Sequence, residues 1–242
     1  MSNGVYIIFS GGHSKQCIDI FLDNHIPVLG LFDDNRPPGL FYRNTQIIGK
    51  ISNINTCLLK CATFFCACGN NTLRSEIIKQ LPGLTWTNCI SRHSIISPSA
   101  IIGIGNYIGI STKILADANI GDFNILNDGC TITHDNKIGN YTHIAPNASL
   151  GGFVSIGDFC LVGTNSTVNP SVSVQNNIIL GSGAVVIDNI YKPGTYVGVP
   201  AASIKQPLDA ALGSDVPAAS IKQPLDAALG STPLTKMEPA DI

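Results

Sequence analysis

The chain has 242 residues, of which 44% are hydrophobic and only 12% charged, with a net charge of −2. So weak a charge leaves no electrostatic footprint for nucleic acid or for an anionic membrane. No run of 18 apolar residues occurs and the first 20 residues lack a secretory pattern, so a cytoplasmic protein that neither spans nor binds a membrane is expected.

Residues 5–10 (VYIIFS) read as a buried strand, Gly11-Gly12 as a turn, residues 13–24 as a helix, and residues 26–32 (IPVLGLF) as a second strand ending in Asp33-Asp34. Strand, turn, helix and strand make a βαβ unit and hence a parallel sheet. A Pro/Gly/Asn-rich loop over residues 35–46 precedes a short helix expected at residues 53–59. Residues 63–68 form a third strand closed by Gly69-Asn70-Asn71, residues 72–81 a second helix, and residues 85–91 a fourth strand. A small Rossmann-like α/β domain over residues 1–92 follows. Open α/β sheets bind ligands at the carboxyl ends of their strands. Here those ends are Ser10-Gly11-Gly12-His13, Asp33-Asp34 and Gly69. The first places backbone N–H groups at a helix start, which suits phosphate; a plain tight turn is the alternative. The full dinucleotide fingerprint is absent, so a nucleotide-linked substrate is expected.

From Ile96 every sixth residue as far as Val186 is aliphatic, sixteen positions in a row without insertion or deletion. A period of six belongs neither to a helix nor to simple strand alternation; it is the signature of a hexapeptide β-helix, placed here at residues 93–202 with about five coils. The residue after the aliphatic is often glycine, as at Gly103, Gly121, Gly139 and Gly157, and glycine is expected there to supply unusual φ. The residue two before it is small or polar, as at Asn106, Thr112, Asn124 and Thr142, where the chain turns. Residues 191–200 read as a terminating loop. The tail, residues 203–242, contains most of an identical duplication: residues 199–214 recur at 216–231. Each copy could form one short helix, and the tail is expected to be dispensable.

The eight cysteines fall mostly in apolar patterns and read as buried free thiols rather than a metal site. His134 and His143 lie outside the core position of the hexad. Solvated surface histidines are one explanation. A metal site at a subunit interface, as in a γ-carbonic-anhydrase-like enzyme, is a second, but it needs a third histidine that the β-helix does not offer. Acid–base catalysis, with Asp135 beside His134 to fix its tautomer, is a third. A non-catalytic structural β-helix would leave the N-terminal domain without a role.

The run from Thr133 through His134, Asp135 and Gly139, then His143-Ile144-Ala145-Pro146, Gly151-Gly152 and Val154-Ser155-Ile156-Gly157, resembles the sugar-nucleotide acetyltransferase family. That family includes bacillosamine-type UDP-4-amino-sugar N-acetyltransferases and sialic acid O-acetyltransferase relatives. The three N-terminal strand ends match its nucleotide-sugar domain in order and spacing, and the likeness covers about residues 4–202. The resemblance implies a left-handed β-helix and a homotrimer with active sites between subunits. It implies acetyl-CoA as co-substrate without a metal, and a UDP-linked amino sugar, a 4-amino-4,6-dideoxy sugar, as acceptor; sugar O-acetylation is the alternative. Carried over by position, His134 is the general base and Asp135 its carboxylate partner. His143, Gly152, Thr164 and Ser182 attend acetyl-CoA, and Gly11, Gly12, His13, Asp33, Asp34 and Gly69 attend the nucleotide sugar. Phe9 stands where the family has a glycine, and Asp135 where it often has glutamate.

Overall fold

A computed structural model describes residues 4–54 and 62–204. Cys57, Cys61 and the duplicated tail from Lys205 onward therefore lie outside the described residues. The N-terminal sheet is built from β1 (Val5–Ile8), β2 (Val28–Phe32), β3 (Phe41–Tyr42), β4 (Thr45–Gly49), β5 (Thr63–Cys66) and β6 (Thr85–Trp86). Their order is β3-β4-β2-β1-β5-β6, parallel except for the β3–β4 hairpin. A parallel sheet must be covered on both faces. Accordingly Val5, Ile7, Leu31 and Phe65 pack on one side with Cys17, Ile18 and Phe21 of α1 (Gly12–Asp23), whereas Ile8, Phe32 and Phe64 pack on the other with Ile77 of α2 (Asn71–Gln80). A 3₁₀ turn spans Ile51–Asn53; most of the helix expected at residues 53–59 lies outside the described residues, since 55–61 are not among them.

The apolar run expected as one strand at residues 85–91 is divided. Thr85–Trp86 pairs with β5, and Cys89–Ile90 pairs with Tyr107–Ile108 as the first rung of the β-helix. Between them Asn88 already occupies a coil corner: its Oδ1 accepts from the Asn106 N–H at 2.8 Å and its amide donates to the Gly103 carbonyl at 2.8 Å. From there each two-residue strand pairs in parallel with the strand 18 residues on, in three stacks. Those stacks hold eight, six and five strands, so about five coils was an undercount. The solenoid starts one hexad early, and Gly194–Val197, read from sequence as loop, adds a further strand to the first stack, itself edged by Ala202–Ile204 running antiparallel. The hexad aliphatics from Ile108 to Val186 form one continuous buried core.

The hexad glycines have a different cause from the one expected. Positive φ falls three residues after the core aliphatic, at Phe123, Asp135, Tyr141, Phe153 and Phe159 among others, not one residue after it. Glycine is required at Gly103, Gly121, Gly139 and Gly157 because the next coil presses there. A Cβ on Gly103 would lie 2.1 Å from Asp122 Oδ1 and 2.7 Å from the Gly121 carbonyl oxygen.

The α/β domain is held against the first stack, whose outward residues Cys89, Tyr107 and Ile125 are buried with α1. Arg74 of α2, 1% exposed, donates from Nε to the Phe123 carbonyl at 2.8 Å, from one terminal nitrogen to the Cys68 carbonyl at 2.8 Å and from the other to Asn71 Oδ1 at 2.7 Å. Asn71 in turn donates to the Cys160 carbonyl at 2.9 Å. Arg74→Met keeps the bulk of the side chain and strands these acceptors, so it should cost about 3 kcal/mol. Urea denaturation of the two proteins side by side measures this.

Candidate active site

The carboxyl ends of β1, β2 and β5 enclose a cavity of about 470 Å³, of a size for a small molecule. Of the residues expected to hold a nucleotide sugar, Gly11, Gly12, His13, Asp33 and Gly69 line it. Asp33 is 5% exposed, and its Oδ2 accepts from the Ser10 backbone N–H at 2.7 Å and the Ser10 hydroxyl at 2.5 Å, while Oδ1 accepts from the Asn35 N–H at 2.8 Å. Its carboxylate therefore ties the first two strand-end loops together. Asp34 does not line the cavity; its Oδ1 accepts from the Ile51 N–H at 2.8 Å and braces the turn after β4. Sequence reasoning passed over Asn35, Arg36 and Cys68, which do line it. Phe9, marked by its departure from the family glycine, takes a φ of 77° and also contributes to the wall.

His13 sits where this cavity meets the solenoid. Its ring lies edge-on to Tyr107 at 4.5 Å, and its Nδ1 meets Gln16 Oε1 at 3.3 Å. Gln16 donates to Asp128 Oδ2 at 3.0 Å, anchoring α1 on the coils. His143, on the same stack two rungs beyond Tyr107, is partly buried. The Asn127 amide nitrogen lies 3.2 Å from its Nε2. Because Asn127 Oδ1 accepts from the Asp128 N–H at 2.9 Å, that amide presents its NH₂ to His143, so Nε2 accepts and the ring proton resides on Nδ1. Burial first, then the positive fields of His13 and Arg74, push the His143 pKa down to about 4. Its imidazole is neutral at pH 7.

His134 and Asp135 occupy another corner, after the strand Thr131–Ile132. Asp135 is one of the positive-φ corner residues, at 59°, and its Oδ2 lies 2.8 Å from His134 Nδ1. Two neighbours on the next coil shape the imidazole's place. Phe153 meets the ring edge-on at 5.2 Å, and Gly152 lies beneath it, where a Cβ would come within 2.5 Å of Cε1. With Nδ1 engaged, Nε2 is the atom left for proton transfer. Thr164 and Ser182 lie on successive coils at a further corner, joined by the Gly183 N–H donating to the Thr164 carbonyl at 2.8 Å.

The structure thus brings Gly152 to His134 and places His143 within the field of His13. It does not bring His134 to the cavity. The coil is three-sided, the α/β domain covers the stack that carries Tyr107 and His143, and His134 lies at the corner joining the other two stacks. Among the described residues no group of three His, Cys, Asp or Glu side chains is placed to hold a metal ion, and no helix is long and apolar enough to cross a membrane. The six described cysteines are all buried and free.

Two expectations test this geometry. Gly152→Ala should displace the imidazole from Asp135 with little loss of stability, because the clash is with the movable end of an exposed side chain. Thermal melts and the crystal structure of the variant check it. His143 favours its neutral form in the fold, so its contribution to stability is complete above the ordinary histidine pKa and is lost as pH falls from about 6.5 to about 4. His143→Gln should flatten the fall in stability across that window, by roughly 3 kcal/mol in denaturant titrations at its two ends.

Comparison with known proteins agrees with both halves of the molecule. Residues 4–81 match the PglD N-terminal domain family and residues 135–170 the bacterial transferase hexapeptide family. An uncharacterized protein of Acanthamoeba polyphaga mimivirus is 55% identical over 122 residues, which is 50% of this chain and 24% of that protein. This chain therefore matches only about a quarter of that curated relative's length. Among solved structures, PerB from Caulobacter crescentus, determined with CoA and GDP-perosamine, superposes with a TM-score of 0.77 at 29% identity, covering 84% of this chain and 97% of its own. The acetyltransferase domain of PglB from Neisseria gonorrhoeae, determined with acetyl coenzyme A, gives 0.76 at 27% identity, covering 84% and 100%. WeeI from Acinetobacter baumannii shares the fold, with a TM-score of 0.74 at 22% identity over 83% and 99% of the two chains. With a PglD-type α/β domain set on a hexapeptide β-helix, the chain is similar over both halves to hexapeptide-repeat sugar-nucleotide acetyltransferases.

Proposed function

We propose that the chain is an acetyl-CoA-dependent N-acetyltransferase acting on the amino group of a nucleotide-linked sugar. The observation that carries this is the His134–Asp135 pair, 2.8 Å apart at a solenoid corner cleared by Gly152. Asp135 accepts the Nδ1–H, so Nε2 is the base. The sugar nitrogen attacks the thioester carbonyl carbon, its proton passes to His134 Nε2, and the C–S bond breaks to release the coenzyme thiolate, which takes up a proton. His143, neutral and with its proton on Nδ1, is suited to donate to the thioester oxygen as negative charge develops there. Gly152, Thr164 and Ser182 are assigned to the acetyl-CoA groove.

The acceptor in this reading is a UDP-linked 4-amino-4,6-dideoxy sugar, its nucleotide seated in the cavity at the strand ends. The GDP-perosamine bound to PerB favours a GDP-linked sugar as the second reading. That His134 and the cavity lie on different sides of one solenoid supports a reading in which a neighbouring copy supplies one to the other. A homotrimer with its sites between subunits fits that reading.

Free-thiol release from acetyl-CoA should occur with UDP- or GDP-linked 4-amino sugars and not with their 4-hydroxy counterparts. Release with hydroxy sugars moves the assignment to O-acetylation, and none with either removes it. His134→Ala should lower turnover by about 10²–10⁴-fold while acetyl-CoA still binds. Turnover near that of the unmodified protein takes His134 out of the chemistry.

A further inference from the structure

The cavity at the strand ends has one basic side chain of the lysine or arginine type among the described residues that line it, Arg36. It stands in the Pro-rich loop between β2 and β3, a stretch with no periodic pattern. Its guanidinium carbon lies 4.9 Å from the centroid of the Tyr42 ring. The Tyr42 hydroxyl donates to the Gly11 carbonyl at 2.9 Å. Tyr42 therefore links the loop that carries Arg36 to the turn that opens α1. Among the described residues no carboxylate pairs with Arg36.

The nearby carboxylate, Asp33, is enclosed by the Ser10 and Asn35 donors. The first turn of α1 has no acidic residue and no side-chain cap, so its N–H groups are not claimed by a local carboxylate or hydroxyl. His13 also lines the same wall. An unpaired guanidinium braced on an aromatic ring, beside these groups, suits an anion with several oxygens in a fixed arrangement. Resting on the nucleotide-sugar reading above, we infer that Arg36, held by Tyr42, grips the diphosphate of the substrate and makes this cavity select nucleoside diphosphates over nucleosides.

Isothermal titration of the full chain with UDP, GDP, uridine and guanosine tests it. The unmodified protein should bind at least one diphosphate more tightly than the matching nucleoside. Arg36→Ala should weaken that diphosphate by about tenfold or more and leave the nucleoside within about twofold. Arg36→Lys should recover part of the loss, since it keeps the charge without the planar group that stacks on Tyr42. Tyr42→Leu should weaken the diphosphate several-fold, and adding Arg36→Ala should then cost less than it does alone, as expected of residues that act together. The inference is overturned if Arg36→Ala leaves diphosphate affinity unchanged, or weakens nucleoside and diphosphate alike. If the unmodified protein binds no diphosphate at all, the nucleotide-sugar reading falls and takes this inference with it. Binding by the unmodified protein with no effect of Arg36→Ala removes Arg36 alone.

Discussion

Everything in the solenoid depends on one constraint: each coil must land its corners on the corners of the coil before it. The ladder that enforces this runs through Asn88, Asn106, Asn124, Thr142 and Cys160. Each of the first four accepts, through a side-chain oxygen, from the backbone N–H of the residue 18 positions later, at 2.7 to 3.0 Å. Buried amides and hydroxyls are costly unless every donor and acceptor is met. A coil shifted by one residue would leave all of them unmatched and turn the core aliphatics outward. Register is thus held twice, by apolar burial inside the coil and by polar matching at its edge. At the same corner Phe123, Tyr141 and Phe159 stack with centroids 5.5 and 5.2 Å apart, the outer face of the same repeat.

The proposed chemistry uses this rigidity. The positive-φ position recurs once in each hexad, and at Asp135 it throws the carboxylate back toward the imidazole of the preceding residue. Aspartate where the family often has glutamate raises a question of reach, and the 2.8 Å contact answers it: the left-handed corner brings the shorter side chain close enough. The next coil then completes the setting, with Phe153 and Gly152 stacked below by the same register. A functional pair on such a scaffold needs no loop of its own.

The hexad rule made the stacked coils, their core and their corners legible from the sequence, because burial repeats with the period of the backbone. The βαβ domain was legible for a similar reason, since apolar runs ended in glycine and asparagine at each turn. What escaped had no periodic signal. Asp33 and Asp34 look alike on paper, and only the fold shows that one closes the cavity wall while the other braces β4. Arg36 lies in a stretch without pattern and gains its place through Tyr42, six residues on, once the hairpin forms. The continuous apolar run at residues 85–91 hid a boundary that Asn88 marks, because a lone asparagine shows its ladder role only when the next coil arrives. The glycines were found for the wrong cause: they answer to crowding between coils, which a linear pattern does not display.

Stacking also turns the solenoid into a ruler. The α/β domain rests on the rungs of Cys89, Tyr107 and Ile125, and His143 lies two rungs beyond Tyr107 on the same stack. Rungs of paired strands are spaced by about 4.8 Å, so the offset along the stack is about 10 Å. Because the core and the corner ladder repeat with each coil, deleting or inserting a whole coil would preserve folding rules while moving that offset by one rung. The spacing between two side chains on one stack can therefore change only in discrete steps, with side chains supplying the fine adjustment between them.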